Sequence, residues 1–442
     1  MKPMRKFATL IMVLVLITIS CSSSTPKHSS KWQSVSSRFQ KDFKKLHLVN
    51  LQMGYVQNLE SIQSLDSILL QENFFKNIEK SLSEIESRNL STKDQLDFEI
   101  VQYETALNLE RVALEKEWRT LRNNGASINT NGLSKIENGK KWYAYFLKKW
   151  IDIEVTPEKM FEFGLKEIDR VKSRMKSLQE QSGMDSIAFQ KHINKDDFFY
   201  SNVNDIQKAF EDTKKRVAER LEDYFPYLKK IPDIKIAKGA NNPRVKAPAY
   251  YIPNEGTFYY NYFDTPYNKR QVGWIYIHEA MPGHHYQISL DINLTHSPIQ
   301  EMFDYNGFSE GYAAYIEELG YEIGAYQNIY DELGKWEWDI IRSVRVVLDV
   351  GLNYYNWSDD KALKFWQKHI TGKDDIALRE IARMKRWPAQ VITYKYGADK
   401  ILKWKEVGVK NSDFNLKEFH AKILENGALP FSILSKLLNN HK

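Results

Sequence analysis

One stretch limits what this chain can fold into: Trp274-Ile275-Tyr276-Ile277-His278-Glu279-Ala280-Met281-Pro282-Gly283-His284-His285-Tyr286-Gln287. It begins as an apolar run and then places three imidazoles and one carboxylate close together. Pro282 forbids a continuous helix, because it lacks an N–H and clashes with the carbonyl four residues earlier, that of His278. Gly283 can take backbone angles closed to other residues. The pair predicts an interrupted helix. Zinc prefers neutral imidazole nitrogens and carboxylate oxygens, and a hydrolytic zinc keeps one position open for water. A Glu beside the first His is placed to take a proton from that water.

Spacing narrows the ligand choice. In the H-E-x-x-H motif the two His lie one turn apart on one face, but the residue four after His278 is Pro282. Two nitrogens on one zinc can be only about 3.5 Å apart. On a straight helix His285 would face the same way as His278 but lie roughly 10 Å along the axis, and His284 would face away. A bulge of two residues returns His284 to the His278 face. We therefore expect His284 as the second ligand, with His285 as the alternative. The plainer reading is a polar helix end at the surface, but this run would make a poor ordinary helix.

The segment His278–Gln287 resembles the H-E-x-x-P-G-H-H-x-Q signature of a large bacterial family, catalogued as domain of unknown function number eight-eighty-five and grouped with the Glu-zincin metallopeptidases. Phe308-Ser309-Glu310-Gly311-Tyr312-Ala313-Ala314-Tyr315-Ile316-Glu317 is similar to that family's S-E-G-W-A-x-Y-x-E segment. Arg342–Asn353 is similar to a block that usually ends G-L-H, with Asn353 in place of the His. Trp387–Gly397 is similar to P-G-Q-A-x-x-Y-x-x-G, with Ala389 for its Gly and Val391 for its Ala. The closing Phe419-His420 and Gly427-Ala428-Leu429-Pro430 extend the likeness, which runs from about Thr156 to the end and more weakly before it. The resemblance implies a mainly α, two-lobed zincin-like fold around a cleft, with a small antiparallel sheet next to the metal helix. It implies zinc held by His278, His284 and Glu310.

The residues support parts of this on their own. Two Ala and a Gly beside Glu310 let a second helix pack closely enough for that carboxylate to reach a metal. Glu317 could steady a ligand His, although a surface carboxylate is the plainer expectation. Tyr394 is the candidate donor to a developing oxyanion, since a phenol donates without carrying charge; a buried structural Tyr is the alternative. Arg342 and Arg345 could grip a substrate carboxylate, or pair with Asp349 or neighbouring acids. If the family His helps catalysis, Asn353 puts activity or substrate range in doubt.

The N-terminus reads as a targeting segment. Lys2, Arg5 and Lys6 precede an apolar run from Phe7 to Ile19, too short for a comfortable membrane span. The chain's single cysteine, Cys21, follows directly, as in a bacterial lipoprotein signal, although Thr18 stands where such signals usually carry Leu. An ordinary secretory signal or an uncleaved anchor is the alternative. We expect a signal over 1–20, a flexible tether over 21–34, an N-terminal helical region over 35–155, and the metallopeptidase-like region over 156–442. Of the net charge of +6, three charges fall in the signal. The remainder is no nucleic-acid footprint.

Along the chain, Leu96, Ile100, Tyr103 and Leu107 recur at helical spacing after a capping Ser91. Thr156-Pro157-Glu158 is a strong helix start, with Phe161, Leu165, Ile168 and Met175 as the expected buried face. The stretch 185–204 is largely polar and gives no decisive pattern. Strand character is concentrated in Ile234–Ile236, Ala247–Tyr251 and Thr257–Phe263. An exposed strand edge there would pair with an extended peptide, with Tyr260 and Asn261 as candidate substrate contacts; a plain structural hairpin is the alternative. Together these readings point to a lipid-anchored, zinc-dependent peptidase of the cell envelope. The alternatives are a catalytically impaired binding lipoprotein on the same scaffold, and a metal-dependent amidase acting on non-peptide amides.

Overall fold

The computed structural model describes residues 30–240, 247–263 and 266–439. Cys21 and the expected signal lie outside the described residues. The described residues are mainly helical, with two small sheets among them. Among the described residues, no helix is long and apolar enough to cross a membrane. A helix Ser30–Phe43 begins inside the stretch read as tether, and its Trp32 and Val35 are buried. An aromatic side chain that can bury its ring gains more from docking than a tether gains from chain freedom.

Caps start the helices where the sequence signals them. Ser91 accepts from the Asp94 N–H at the head of Thr92–Asn123, and Leu96, Ile100, Tyr103 and Leu107 are buried. Thr156 accepts from the Lys159 N–H at the head of Pro157–Gln181. That helix turns differently from expectation. Met160, Gly164, Glu167, Ile168 and Val171 face inward, whereas Leu165 is exposed. Within the undecided stretch 185–204, Asp185 caps a short helix, Ser186–Ile193, by accepting from the N–H groups of Ile187 and Ala188.

The centre of the molecule is the helix Ile329–Asn353, in which every residue from Asp339 to Asn353 is buried. A helix covered on all sides must be surrounded by other elements. Pro157–Gln181, Asp359–His369 and Asp374–Arg386 pack on it. The apolar core is one cluster that runs from Trp32 to Leu434, so it crosses from the N-terminal helices into the rest without a break.

The larger sheet has Thr257–Tyr260 in the middle, parallel to Lys235–Lys238 and antiparallel to Ala249–Ile252. It is therefore mixed, not the antiparallel sheet expected from the hairpin signal. Only the Ala249–Ile252 to Thr257–Tyr260 pair is a hairpin; the third strand joins the far side in the other sense. Tyr260 consequently ends the central strand and Asn261 directly follows it, so neither lies on an edge strand. Both are buried, and the Asn261 side chain donates to the Ala247 carbonyl at 2.8 Å. The edge strands are Lys235–Lys238 and Ala249–Ile252, and the latter lines the cleft described below.

Two helices that carry candidate residues cross at a pair of glycines. A Cβ added at Gly397, in the helix Thr393–Val409, would lie 2.4 Å from the Cα of Gly311 in the helix Asn306–Ile316. No backbone atom there can yield without the helices moving apart. Gly397→Ala is expected to cost about 1–3 kcal/mol, as overpacking does. A lowered urea midpoint at unchanged slope would show it, and an unchanged midpoint would mean that the helices separate freely.

Candidate metal centre

The apolar run forms the helix Val272–Glu279, buried throughout except at Glu279. The helix then stops for four residues, Ala280 to Gly283, and resumes as His284–Ile292. The interruption is larger than a two-residue bulge. The bond before Pro282 is cis. A Cβ at Gly283 would fall 2.0 Å from the His278 carbonyl oxygen and 2.3 Å from that of Ile277. Only a residue without a side chain lets the chain fold back this tightly.

The fold-back brings His284 to His278. Their rings stand nearly perpendicular with centroids 4.8 Å apart. Glu310 arrives from the helix Asn306–Ile316. Its Oε2 lies 3.4 Å from His284 Nε2 and 3.9 Å from His278 Nε2. One donor atom from each of the three residues lies within 4.8 Å of the other two, and among the described residues no other group of His, Cys, Asp or Glu does this. Ligands on a tetrahedral zinc sit about 3.4 Å from one another, so the donor set fits such an ion in type, with His284 and Glu310 at that spacing and the other pairs wider. Burial alone would raise the Glu310 carboxyl. The hydrogen bond from His284 and the charges of His284 and His278 outweigh it and pull the group down to about 2.

His285 faces elsewhere. Its Nδ1 is 2.9 Å from the Tyr251 hydroxyl, and its Nε2 is 2.8 Å from the Pro232 carbonyl. Both ring nitrogens are thus spent on structural partners, with Nε2 donating to the carbonyl.

Behind the cluster lies Glu317, fully buried rather than on the surface. It follows Glu310 by two turns on the same face, so the helix that delivers one delivers the other. Its Oε1 is 2.7 Å from His278 Nδ1, close enough for charge though not aligned as a hydrogen bond. Arg342 Nη1 donates to both Glu317 oxygens at 2.7 Å. Arg345 donates to Glu380 at 3.1 Å. Each arginine thus pairs with an acid, one of the arrangements the sequence left open, though the acid is Glu317 or Glu380 and not Asp349. Buried guanidinium groups need acids beside them, and these acids come from other helices.

Tyr394 donates to Glu310 Oε1 at 3.1 Å. Burial, with the Glu310 charge next, raises its hydroxyl pKa and keeps the phenol protonated. Glu279, the last residue of its helix, faces the cleft, and its side chain makes no hydrogen bond among the described residues. The cleft measures about 740 Å³, and its wall includes His278, Glu279, His284, Glu310, Tyr394 and the edge-strand residue Tyr251. A second cavity of about 710 Å³ adjoins it, sharing Trp150 and Asn306. Asn353 lies outside the cleft wall. Its amide donates to the Asp349 and Met384 carbonyls and accepts from the Leu133 N–H, tying three segments together.

Sequence reading missed Tyr251, which orients His285, and the arginines of the helix Asp374–Arg386. The arginines' 4-and-3 spacing was the available signal.

The segment leading to Tyr394 is held by a buried carboxylate. Asp349 Oδ1 accepts from the Tyr143 hydroxyl at 2.6 Å and from the Ala389 N–H at 2.9 Å. Burial pushes this carboxyl up to about 7. Ala389 itself has φ of 70°, in the left-handed region. A Gly at this position, as in the resembling motif, would carry no such strain. Ala389→Gly is expected to stabilise the fold by about 0.5–1 kcal/mol, the relief of left-handed strain less the added freedom of the unfolded chain. A thermal midpoint that falls instead would show that the methyl group's packing outweighs its strain.

Comparison with known proteins adds the fold and the family. No relative matches among the curated proteins. A solved candidate lipoprotein from Colwellia psychrerythraea is 22% identical, with a TM-score of 0.64 over 85% of this chain and 69% of that one. A solved candidate lipoprotein of unknown function from Shewanella oneidensis is 15% identical, with a TM-score of 0.65 over 92% of this chain and 99% of that one. At these identities the likeness is one of fold alone. The model of the family described as bacterial protein of unknown function, DUF885, matches residues 113–438 and so takes in every cluster residue; this chain belongs to that family.

Proposed function

We propose that this chain is a zinc-dependent hydrolase that cleaves peptide bonds in the cell envelope, on a zincin-like, two-lobed helical scaffold. The observation that carries the reading is the convergence of His278, His284 and Glu310, with their donor atoms within 4.8 Å, beside the Glu279 carboxylate in the same cleft wall. His278, His284 and Glu310 would hold the ion. Zinc bound there would supply a Lewis acid that acidifies water and polarises a carbonyl.

The chain's own groups do the rest. Glu279 receives a proton from the attacking water on its carboxylate and returns it to the leaving nitrogen. The Tyr394 hydroxyl donates to the carbonyl oxygen as negative charge gathers on it. Glu317 and Arg342 keep the His278 ring from turning. The edge strand Ala249–Ile252 offers backbone groups to an extended peptide along the cleft. Attachment of lipid at Cys21 would keep the enzyme at the membrane surface, in keeping with the two candidate lipoproteins that share its fold.

Two measurements test the reading. Dialysis against zinc followed by elemental analysis is expected to give one ion per chain in the parent and in His285→Ala, and none in His284→Ala. Loss of zinc from His285→Ala with retention in His284→Ala would exchange the two roles. Glu279→Gln is expected to keep its zinc and lose peptide turnover by about 10²–10⁴-fold, as removal of a general base does. Parental turnover by that variant would reject the mechanism.

A further inference from the structure

Five arginines share the cleft wall with the His–Glu cluster: Arg342, Arg345, Arg379, Arg383 and Arg386. Their acid partners are too few. Glu317 takes Arg342. Glu380 is shared by Arg345 at 3.1 Å and Arg383 at 3.6 Å. Arg379 and Arg386 have no carboxylate partner among the described residues. Arg379, Arg383 and Arg386 recur at spacings of 4 and 3 on the helix Asp374–Arg386, so they rise from one face. Even with Glu279, Glu310 and Glu380 in the wall and Glu317 behind it, five guanidinium groups outnumber the carboxylates, so the wall carries surplus positive charge.

A second observation points the same way. The Nε–H donors of Arg342, Arg345 and Arg383 are buried with no acceptor among the described residues, and Arg342 and Arg345 are only 2% and 3% exposed. Buried donors without acceptors are rare and costly. The guanidinium groups of Arg342 and Arg345 lie over the Tyr394 ring, 5.2 and 5.5 Å from its centre, and the Tyr394 hydroxyl reaches Glu310. Arg383, from the same helix face as Arg379 and Arg386, interacts with the Tyr394 hydroxyl, so that face lies one side chain from the candidate reacting centre. The Arg345 guanidinium also has a lowered pKa, through burial and through Arg383 and Arg342 against Glu380. A negative group between these side chains would relieve that repulsion.

Building on the peptidase reading, we infer that this wall selects peptides carrying a carboxylate close to the scissile bond, with Arg379, Arg383 and Arg386 as the receiving groups. The carboxylate is either an acidic side chain or the peptide's own C-terminus. A guanidinium fork matches a planar carboxylate with two parallel hydrogen bonds, and a cluster of forks accepts it in more than one register.

The test uses the full chain bearing Glu279→Gln and four acetylated hexapeptides of otherwise identical sequence. Three are C-terminally amidated and carry Asp, Asn or Lys at one position; the fourth carries Asn with a free C-terminal carboxylate. Calorimetry is expected to show the Asp peptide, the free-carboxylate peptide, or both binding at least about tenfold more tightly than the amidated Asn peptide, with the Lys peptide weakest. Whichever acidic arm responds identifies the source of the carboxylate. The preference should shrink at high salt and fall towards unity when Arg379→Gln and Arg386→Gln are added. Equal binding of the Asp, Asn and Lys peptides, with no gain from the free carboxylate, would overturn the inference. So would a preference that survives the double substitution. Hydrolysis of the same peptides by the parent is scored separately. An acidic peptide that binds selectively yet is not cleaved would refute the peptidase reading and leave the arginine site standing.

Discussion

The whole cluster depends on one close contact, the approach of Gly283 to the carbonyl oxygens of His278 and Ile277. A methyl group at that position would lie at 2.0 and 2.3 Å from those two oxygens. Because the chain can fold back there, the second helix starts where His284 faces His278. Without the fold-back the two imidazoles would sit on opposite sides or different levels of a straight rod. Pro282 stops the first helix and Gly283 permits the reversal; neither suffices alone.

A second constraint governs the carboxylate. Glu310 reaches the imidazoles because its helix is pressed against the Thr393–Val409 helix at Gly311 and Gly397. The same contact delivers Tyr394 to Glu310. Charge then organises what lies behind: His278 touches Glu317, Glu317 is held by Arg342, and Arg342 stacks over Tyr394. Glu317 and Arg342 are both buried and each has the other as its partner of opposite sign, the condition that makes such burial tolerable. The five arginines around the cleft strain that condition, since Glu317 and Glu380 cannot neutralise them all.

Much of this was legible in the residues. The interrupted helix followed from Pro282 and Gly283, and the preference for His284 over His285 agrees with the directions their rings take. The small residues around Glu310 announced a close helix crossing. Other readings failed for identifiable reasons. Glu317 looked exposed because its buried partners, His278 and Arg342, lie far away in sequence. Tyr260 and Asn261 looked like edge residues because a local hairpin pattern does not say which strand pairs on its other side. Leu165 looked buried because an apolar stripe shows that a helix has a face, not which way that face turns.

What the sequence determined by itself is therefore local: where helices begin, where one must break, and which residue types can bind a metal or move a proton. Those properties depend on backbone stereochemistry and side-chain chemistry within a few residues. The tertiary structure alone decided which distant carboxylate met which imidazole, which arginines were neutralised and which were left in surplus, and which strand faced the cleft. Such outcomes depend on how whole helices pack, and packing joins residues that no local pattern links.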